Sequence, residues 1–145
     1  MRLLKFIFAA LLLSAPAPAF AQSKPVVIEN AWVRIYEGTT SVYFHILNNA
    51  EEPDRLLDVS TLLADKAELI RTRIRSGKYT YLPVKGLEIT GYNDERLRPG
   101  GIFVRLTGLK RDLHVGDTVP LTLRFERSGH IEVNARVGNQ LLGNR

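Results

Sequence analysis

From Thr118 to Val137 the chain alternates apolar and polar residues, and a period of two is the signature of a half-buried strand. Val119, Leu121, Leu123 and Phe125 fall on one side; Thr118, Thr122, Arg124 and Glu126 fall on the other. Arg127-Ser128-Gly129 then forms a short turn in which glycine can take a positive φ. His130 to Val137 alternates again, with Ile131, Val133, Ala135 and Val137 on the apolar side. Two such runs across a tight turn make an antiparallel hairpin with one buried face.

The same pattern recurs at Val26–Ile35, Ser41–Leu47, Arg55–Ser60, Lys66–Ile74, Lys78–Leu82, Leu87–Ile89 and Gly101–Thr107. Turn residues punctuate these runs: Asn48-Asn49, Glu52-Pro53-Asp54, Ser76-Gly77, Pro99-Gly100-Gly101 and Val115-Gly116-Asp117. Downstream of residue 21 no sustained 3.6-residue period exists, and Leu62–Lys66 allows a helical turn and little more. Many short strands at this spacing predict an all-β domain, a sandwich or barrel of Greek-key type.

The first residues read as an export signal, so residues 1–21 are set apart from the domain. Arg2 and Lys5 precede the apolar run Phe6–Leu13, Pro16 and Pro18 break it, and Ala19-Phe20-Ala21 offers a small-x-small cleavage site. The run is too short to span a bilayer, which takes about 20 residues, and no Cys follows it to suggest a lipid anchor. The expected location is the periplasm, with no stable membrane anchor after cleavage. Residues 22–145 then form one domain of ordinary size. The chain has no Cys, so no disulfide can staple it, and its only Met is Met1. The exported form would hold no sulfur. Its formal charge would fall from +5 to +3 with the loss of Arg2 and Lys5, a balance that speaks for solubility.

No nucleic-acid motif or basic run with interleaved aromatics is present. Neither is a nucleophile motif or a phosphate-cradling glycine loop, so an enzyme is not expected. His45, His114 and His130 are scattered without metal-ligand spacing. His45 alternates with Phe44 and Ile46 and reads as a solvent-facing or hydrogen-bonded strand residue. His114 reads as a loop residue, and His130 as the polar start of a strand. Arg71, Arg73 and Arg75 occupy alternate positions, and no acidic residue lies between Glu68 and Glu88. Two readings follow. The arginines are bidentate forks for an anion or acidic protein, or they protect an edge strand with charge.

An ordered set of anchors then carries a resemblance. It comprises Asn30-Ala31-Trp32-Val33-Arg34, Val42-Tyr43-Phe44 leading to Asn48, Glu68-Leu69, Pro83-Val84, Pro99-Gly100-Gly101 and Gly108-Leu109-Lys110. It continues through Gly116-Asp117, Val119-Pro120-Leu121-Thr122-Leu123, Phe125-Glu126 and Gly129. In this order the chain, from about Val26 to Val137, resembles the periplasmic copper chaperones of the PCu(A)C family. The resemblance implies a cupredoxin-like β-barrel and a role in copper trafficking. It also implies four ligand positions, where the family places His, Met, His and Met around one Cu(I). Here they carry Ile70, Tyr81, Phe103 and Arg105, with ten, twenty-one and one residues between them.

None of these four is a soft donor, and Cu(I) prefers thiolate and thioether ligands. Ile70 and Phe103 have no lone pair, Tyr81 has a hard phenol oxygen, and Arg105 is permanently charged. The family Cu(I) site is therefore expected to be non-functional, with no cofactor unless copper is bound by the His residues or shared with a partner. The alternative is a metal-free binding module. It would contact a periplasmic protein partner or an anion through Arg71, Arg73, Arg75, Tyr81, Phe103 and Arg105.

Overall fold

The computed structural model describes residues 24–138. The export signal expected at residues 1–21 lies outside them. The described residues fold as ten strands: β1 (Val26–Tyr36), β2 (Thr39–Asn48), β3 (Asp54–Ser60), β4 (Ala64–Arg75), β5 (Lys78–Pro83), β6 (Leu87–Ile89), β7 (Asp94–Arg96), β8 (Ile102–Leu109), β9 (Thr118–Phe125) and β10 (Gly129–Val137). Nine of these cover runs that the alternation predicts. The tenth, β7, is polar and only three residues long. The helical turn expected at Leu62–Lys66 does not form: Leu62 and Leu63 make a turn, and β4 begins at Ala64. Ala64 and Leu69 need the extended backbone to reach the core, and both are buried.

The strands join one mixed, unclosed sheet in the order β5-β4-β8-β2-β1-β10-β9-β3-β6, and β7 pairs with β2 beside β8. Only β1 and β10 pair in parallel; the other pairs are antiparallel. The hairpin of β9 and β10 has the predicted faces. Val119, Leu121, Leu123 and Phe125 are buried with Ala135 and Val137, while Ile131 and Val133 are partly buried against them. Buried Asp54 fixes its turn by accepting from Arg127 N at 2.9 Å, Ser128 N at 2.9 Å and Ser128 Oγ at 2.6 Å.

One irregularity decides what the outside of the sheet looks like. Glu29 pairs with His45, but Trp32 pairs with Tyr43, so β1 carries one extra residue between them. Asn30 takes φ 52°, a left-handed conformation that asparagine tolerates better than most residues. A bulge of this kind shifts the phase of a strand by one residue. Val26 and Ile28 face the core before it, and Val33 and Ile35 face the core after it. Trp32, Arg34 and Tyr36 are thereby turned outward.

The register then lays down parallel rows across β1, β2, β8 and β4. Val33, Val42, Val104 and Leu69 align in one inward row and belong to the main core. Beside it, facing out, stand Trp32 opposite Tyr43 and Phe103 opposite Ile70. The next outward row is Arg34, Ser41, Arg105 and Glu68.

Candidate binding site

The first outward row forms a second apolar cluster. Tyr43, Ile70 and Phe103 are buried, and Trp32 packs partly buried against them. The rings follow one another: Trp32 to Tyr43 at 4.6 Å between centroids, Tyr43 to Phe103 at 6.2 Å, and Phe103 to Tyr81 at 6.1 Å with the planes at 89°. These are offset and edge-to-face arrangements that aromatic quadrupoles favour. Tyr81 arrives from β5 because it pairs with Thr72, two residues beyond Ile70 on β4. Its ring stays about half exposed (52%).

Above this floor lies a cleft of about 290 Å³. Phe103, Tyr43 and Tyr81 line it together with Tyr36, Tyr79, Arg34 and Arg105. Two turns shape its walls. Glu37 and Gly38, with φ 48° and 75°, make a two-residue turn between Tyr36 and Thr39. Pro99 and Gly100 close a second turn, where Gly101 N donates to Arg98 O at 3.0 Å and Gly100 takes φ 77°.

Charge enters through the second outward row. Glu68 holds Lys66 at 2.8 Å and the Arg105 guanidinium at 3.8 Å. The hydrogen bond from Lys66 keeps the Glu68 carboxyl below its ordinary range; burial opposes this, and the charges of Lys66 and Arg105 reinforce it. Arg34 lies with its guanidinium carbon 4.8 Å from the centre of the Tyr36 ring. Its Nε is buried and makes no hydrogen bond. The hydrogen bond and the charge of neighbouring Glu37 raise the Tyr36 phenol, with a lesser contribution from burial, so it stays a neutral rim group.

The four positions carried over from the family resemblance thus come together. Ile70 lies directly across from Phe103, Tyr81 meets Phe103 edge-on, and Arg105 lines the cleft with both aromatic residues. The three alternate arginines do not join them. Thr72 pairs with Tyr81 and shares the cleft, so Arg71, Arg73 and Arg75 occupy the opposite face of β4. Arg71 lies in a shallower depression with Arg55, Arg96 and Arg98. Arg34, Tyr36 and Tyr79 are cleft residues that sequence reading missed. Only the phase shift at Asn30 brings Arg34 into line with Arg105.

The histidines are dispersed. His45 on β2 is bonded through Nε2 to Asp94 Oδ2 at 2.5 Å, with Glu29 3.9 Å from Nδ1. His114 is exposed beside Asp117, and His130 is exposed at the start of β10. Among the described residues no three His, Asp or Glu side chains gather as metal ligands.

Residues 26–137 match the family described as "LpqE-like: Putative lipoprotein LpqE-like". The chain belongs to the LpqE-like family. A relative from Leifsonia xyli subsp. xyli (strain CTCB07), "Putative lipoprotein Lxx21020", is 29% identical over 114 residues, or 77% of this chain and 68% of that protein. Solved PCuAC structures share the fold. The copper-bound PCuAC domain from PmoF2 superposes with a TM-score of 0.66 at 24% identity, covering 79% of this chain and 92% of that one. The Cu(I) form of DR1885 from Deinococcus radiodurans gives 0.65 at 28% identity over 87% of each chain. Its apo form gives 0.62 at 28% identity over 99% of each. This LpqE-like chain is therefore a divergent member of the PCu(A)C group, and its fold is the cupredoxin-like one.

Two of those neighbours are copper forms, so the cleft can be tested for fit to that ion. It does not fit. A hydrocarbon side chain, a phenol, a phenyl ring and a guanidinium offer Cu(I) neither sulfur nor imidazole. Arg105 adds a fixed positive charge to the cleft lining, which disfavours any cation.

Proposed function

We propose that this chain is an exported, non-catalytic binding protein of the PCu(A)C type that recognises an anionic partner where its copper-binding relatives hold the metal. The observation that carries this reading is the convergence of Tyr81, Phe103 and Arg105 on one cleft, with Ile70 buried beneath Phe103, so that its exposed chemistry is aromatic and cationic. A guanidinium beside aromatic rings suits a carboxylate or phosphate, through paired N–H donors, far better than a metal ion. Export is supported by the signal-like residues 1–21 and by the lipoprotein description shared by the family and the Leifsonia relative. The periplasm is the compartment proposed, and residues 22–145 are the proposed functional domain.

The test is Cu(I) competition. The protein spanning residues 22–145, loaded with Cu(I) and challenged with a chelator of moderate affinity, is expected to retain no copper. One equivalent held with sub-nanomolar affinity would overturn the proposal and return the chain to copper delivery. In the same assay, a variant carrying Ile70→His, Tyr81→Met, Phe103→His and Arg105→Met supplies the missing donors on the existing strands. If folded, it is expected to gain Cu(I).

A further inference from the structure

The cleft imposes a shape on whatever it binds. Its floor is Tyr43 and Phe103, with Ile70 buried beneath them, and its charged strip is the adjacent row of Arg34, Ser41 and Arg105. Phe103 and Arg105 are two residues apart on β8, so these features lie about 6.5 Å from one another along the strand. An inorganic anion uses only the strip, and a hydrocarbon uses only the floor. A ligand that uses both needs a flat apolar body and an anionic head on a short spacer.

Five observations narrow the head and the body. The Arg34 guanidinium lines the cleft, and its buried Nε donates to no group of the protein. Arg105 sits 3.8 Å from a Glu68 carboxylate that Lys66 already engages at 2.8 Å, which leaves guanidinium donors free for a second acceptor. Glu37 lines the cleft and Glu68 lies 3.8 Å from Arg105 beside it, so a monoanion is favoured over a dianion. The volume, about 290 Å³, lies at the small end of ligand pockets and suits a small aromatic acid. Tyr81 stands edge-on to Phe103 with half its surface exposed, which leaves ring surface for a ligand to cover.

Building on the anion-binding reading above, we infer that the cleft is a site for a small aromatic carboxylate: one ring against Phe103 and Tyr81, a short spacer, and a carboxylate on Arg105 and Arg34. The same chemistry occurs in a free arylalkanoic acid and in the C-terminal aromatic residue of a peptide.

The experiment is a titration of the protein spanning residues 22–145, followed by backbone amide NMR. The probes are 3-phenylpropionate, 3-phenylpropanol, acetate, inorganic phosphate, and a short peptide ending in phenylalanine with a free or amidated C-terminus. The expected result is saturable one-to-one binding of 3-phenylpropionate with shifts at Tyr81, Phe103 and Arg105. Affinity should fall at least tenfold for the alcohol and for acetate, and at least tenfold in Arg105→Gln, while Lys110→Gln leaves it unchanged. Tighter binding of the free-acid peptide than of 3-phenylpropionate would assign the carboxylate to a protein terminus; the reverse would assign it to a metabolite. Equal binding of 3-phenylpropanol and 3-phenylpropionate overturns the inference. So does a protein that takes phosphate in an Arg105-dependent way but ignores the aromatic acid, and in that case the broader anion reading survives. If no anion shifts these amides, both fail. Arg105→Lys keeps the charge without the fork and serves if Arg105→Gln does not fold; it is expected to bind more weakly than the native chain.

Discussion

The two faces of β4, β8, β2 and β1 differ by one residue of register and by everything else. The inward row is Val33, Val42, Val104 and Leu69, aliphatic throughout and closed to solvent. The outward rows are Trp32, Tyr43, Phe103 and Ile70, then Arg34, Ser41, Arg105 and Glu68. Aliphatic side chains interdigitate and hold the sheet to the rest of the core. Aromatic and guanidinium groups keep edges, faces and donors available. A sheet that must be stable on one side is thus free to change chemistry on the other. The copper forms of DR1885 and PmoF2 share this fold, and the outward rows here carry no soft donor.

The comparison can be broken by truncating each face. Leu69→Ala removes an inward side chain that is only 6% exposed. It is expected to lower stability by about 3 kcal/mol, from lost burial plus an unfilled cavity. Phe103→Leu on the outward face keeps much of the apolar contact and should lower it by only about 1 kcal/mol. It should nevertheless remove most of the binding of an aromatic acid. Urea unfolding of both variants checks this. Equal losses would mean that the aromatic cluster is a second structural core and not a binding floor.

The next effect lies away from both rows, at Asp54. Its carboxylate accepts two backbone N–H groups and the Ser128 hydroxyl, and it also accepts from Arg55 N at 2.7 Å. Burial works to raise its pKa, but these hydrogen bonds outweigh it and leave the group below its ordinary value. A carboxylate with a depressed folded pKa adds stability above its unfolded value, near 3.9, and that stability is lost as pH falls through the folded value. Asp54→Ala is therefore expected to cost about 2 kcal/mol at neutral pH by orphaning the turn donors. The native and variant stabilities should begin to converge as pH falls below about 4 and meet only beneath the lowered folded pKa. A pH-independent difference would show that the lost contacts are packing rather than charge.

How much of this was legible follows from the same physics. Alternation exposed nine strands: eight bury part of one face, where period two survives, while β5 is exposed throughout and alternates only in residue type. β7 escaped because Asp94-Glu95-Arg96 has no apolar face to alternate. The phase change at Asn30 was invisible because a bulge is a backbone event, and Asn30-Ala31 is compatible with a regular strand. Arg34 and Tyr36 were missed as a consequence, and Tyr79 was missed because only the pairing of β5 with β4 brings it to the cleft. The grouping of Arg71, Arg73 and Arg75 on one side of β4 was readable. The side they take was not, because only the pairing of Thr72 with Tyr81 settles it.

The smallest effect is expected where β7 meets β2. His45 Nε2 lies 2.5 Å from Asp94 Oδ2, and Arg96 lies 3.6 Å from the same carboxylate. The His45 hydrogen bond is the main reason the Asp94 carboxyl sits below its ordinary range; burial opposes it, and the charges of His45 and Arg96 add to it. Nearly half of the Asp94 side chain is open to water, so salt and solvent screen the pair. Asp94→Asn should leave the urea midpoint almost unchanged. The strand is short, three residues with pairs at His45–Arg96, Ile46–Glu95 and Leu47–Asp94, flanked by hydrogen bonds from Asn48 N to Asn93 O and from Leu97 N to Phe44 O, both 2.9 Å. Local opening should therefore become easier without global unfolding. Amide hydrogen exchange over residues 94–97 should quicken, while exchange at Val104 and Leu123 stays as slow as in the native chain. Were the slow core amides to accelerate as well, β7 would be part of the cooperative fold, and the division between a structural inner face and a permissive outer edge would have to be redrawn.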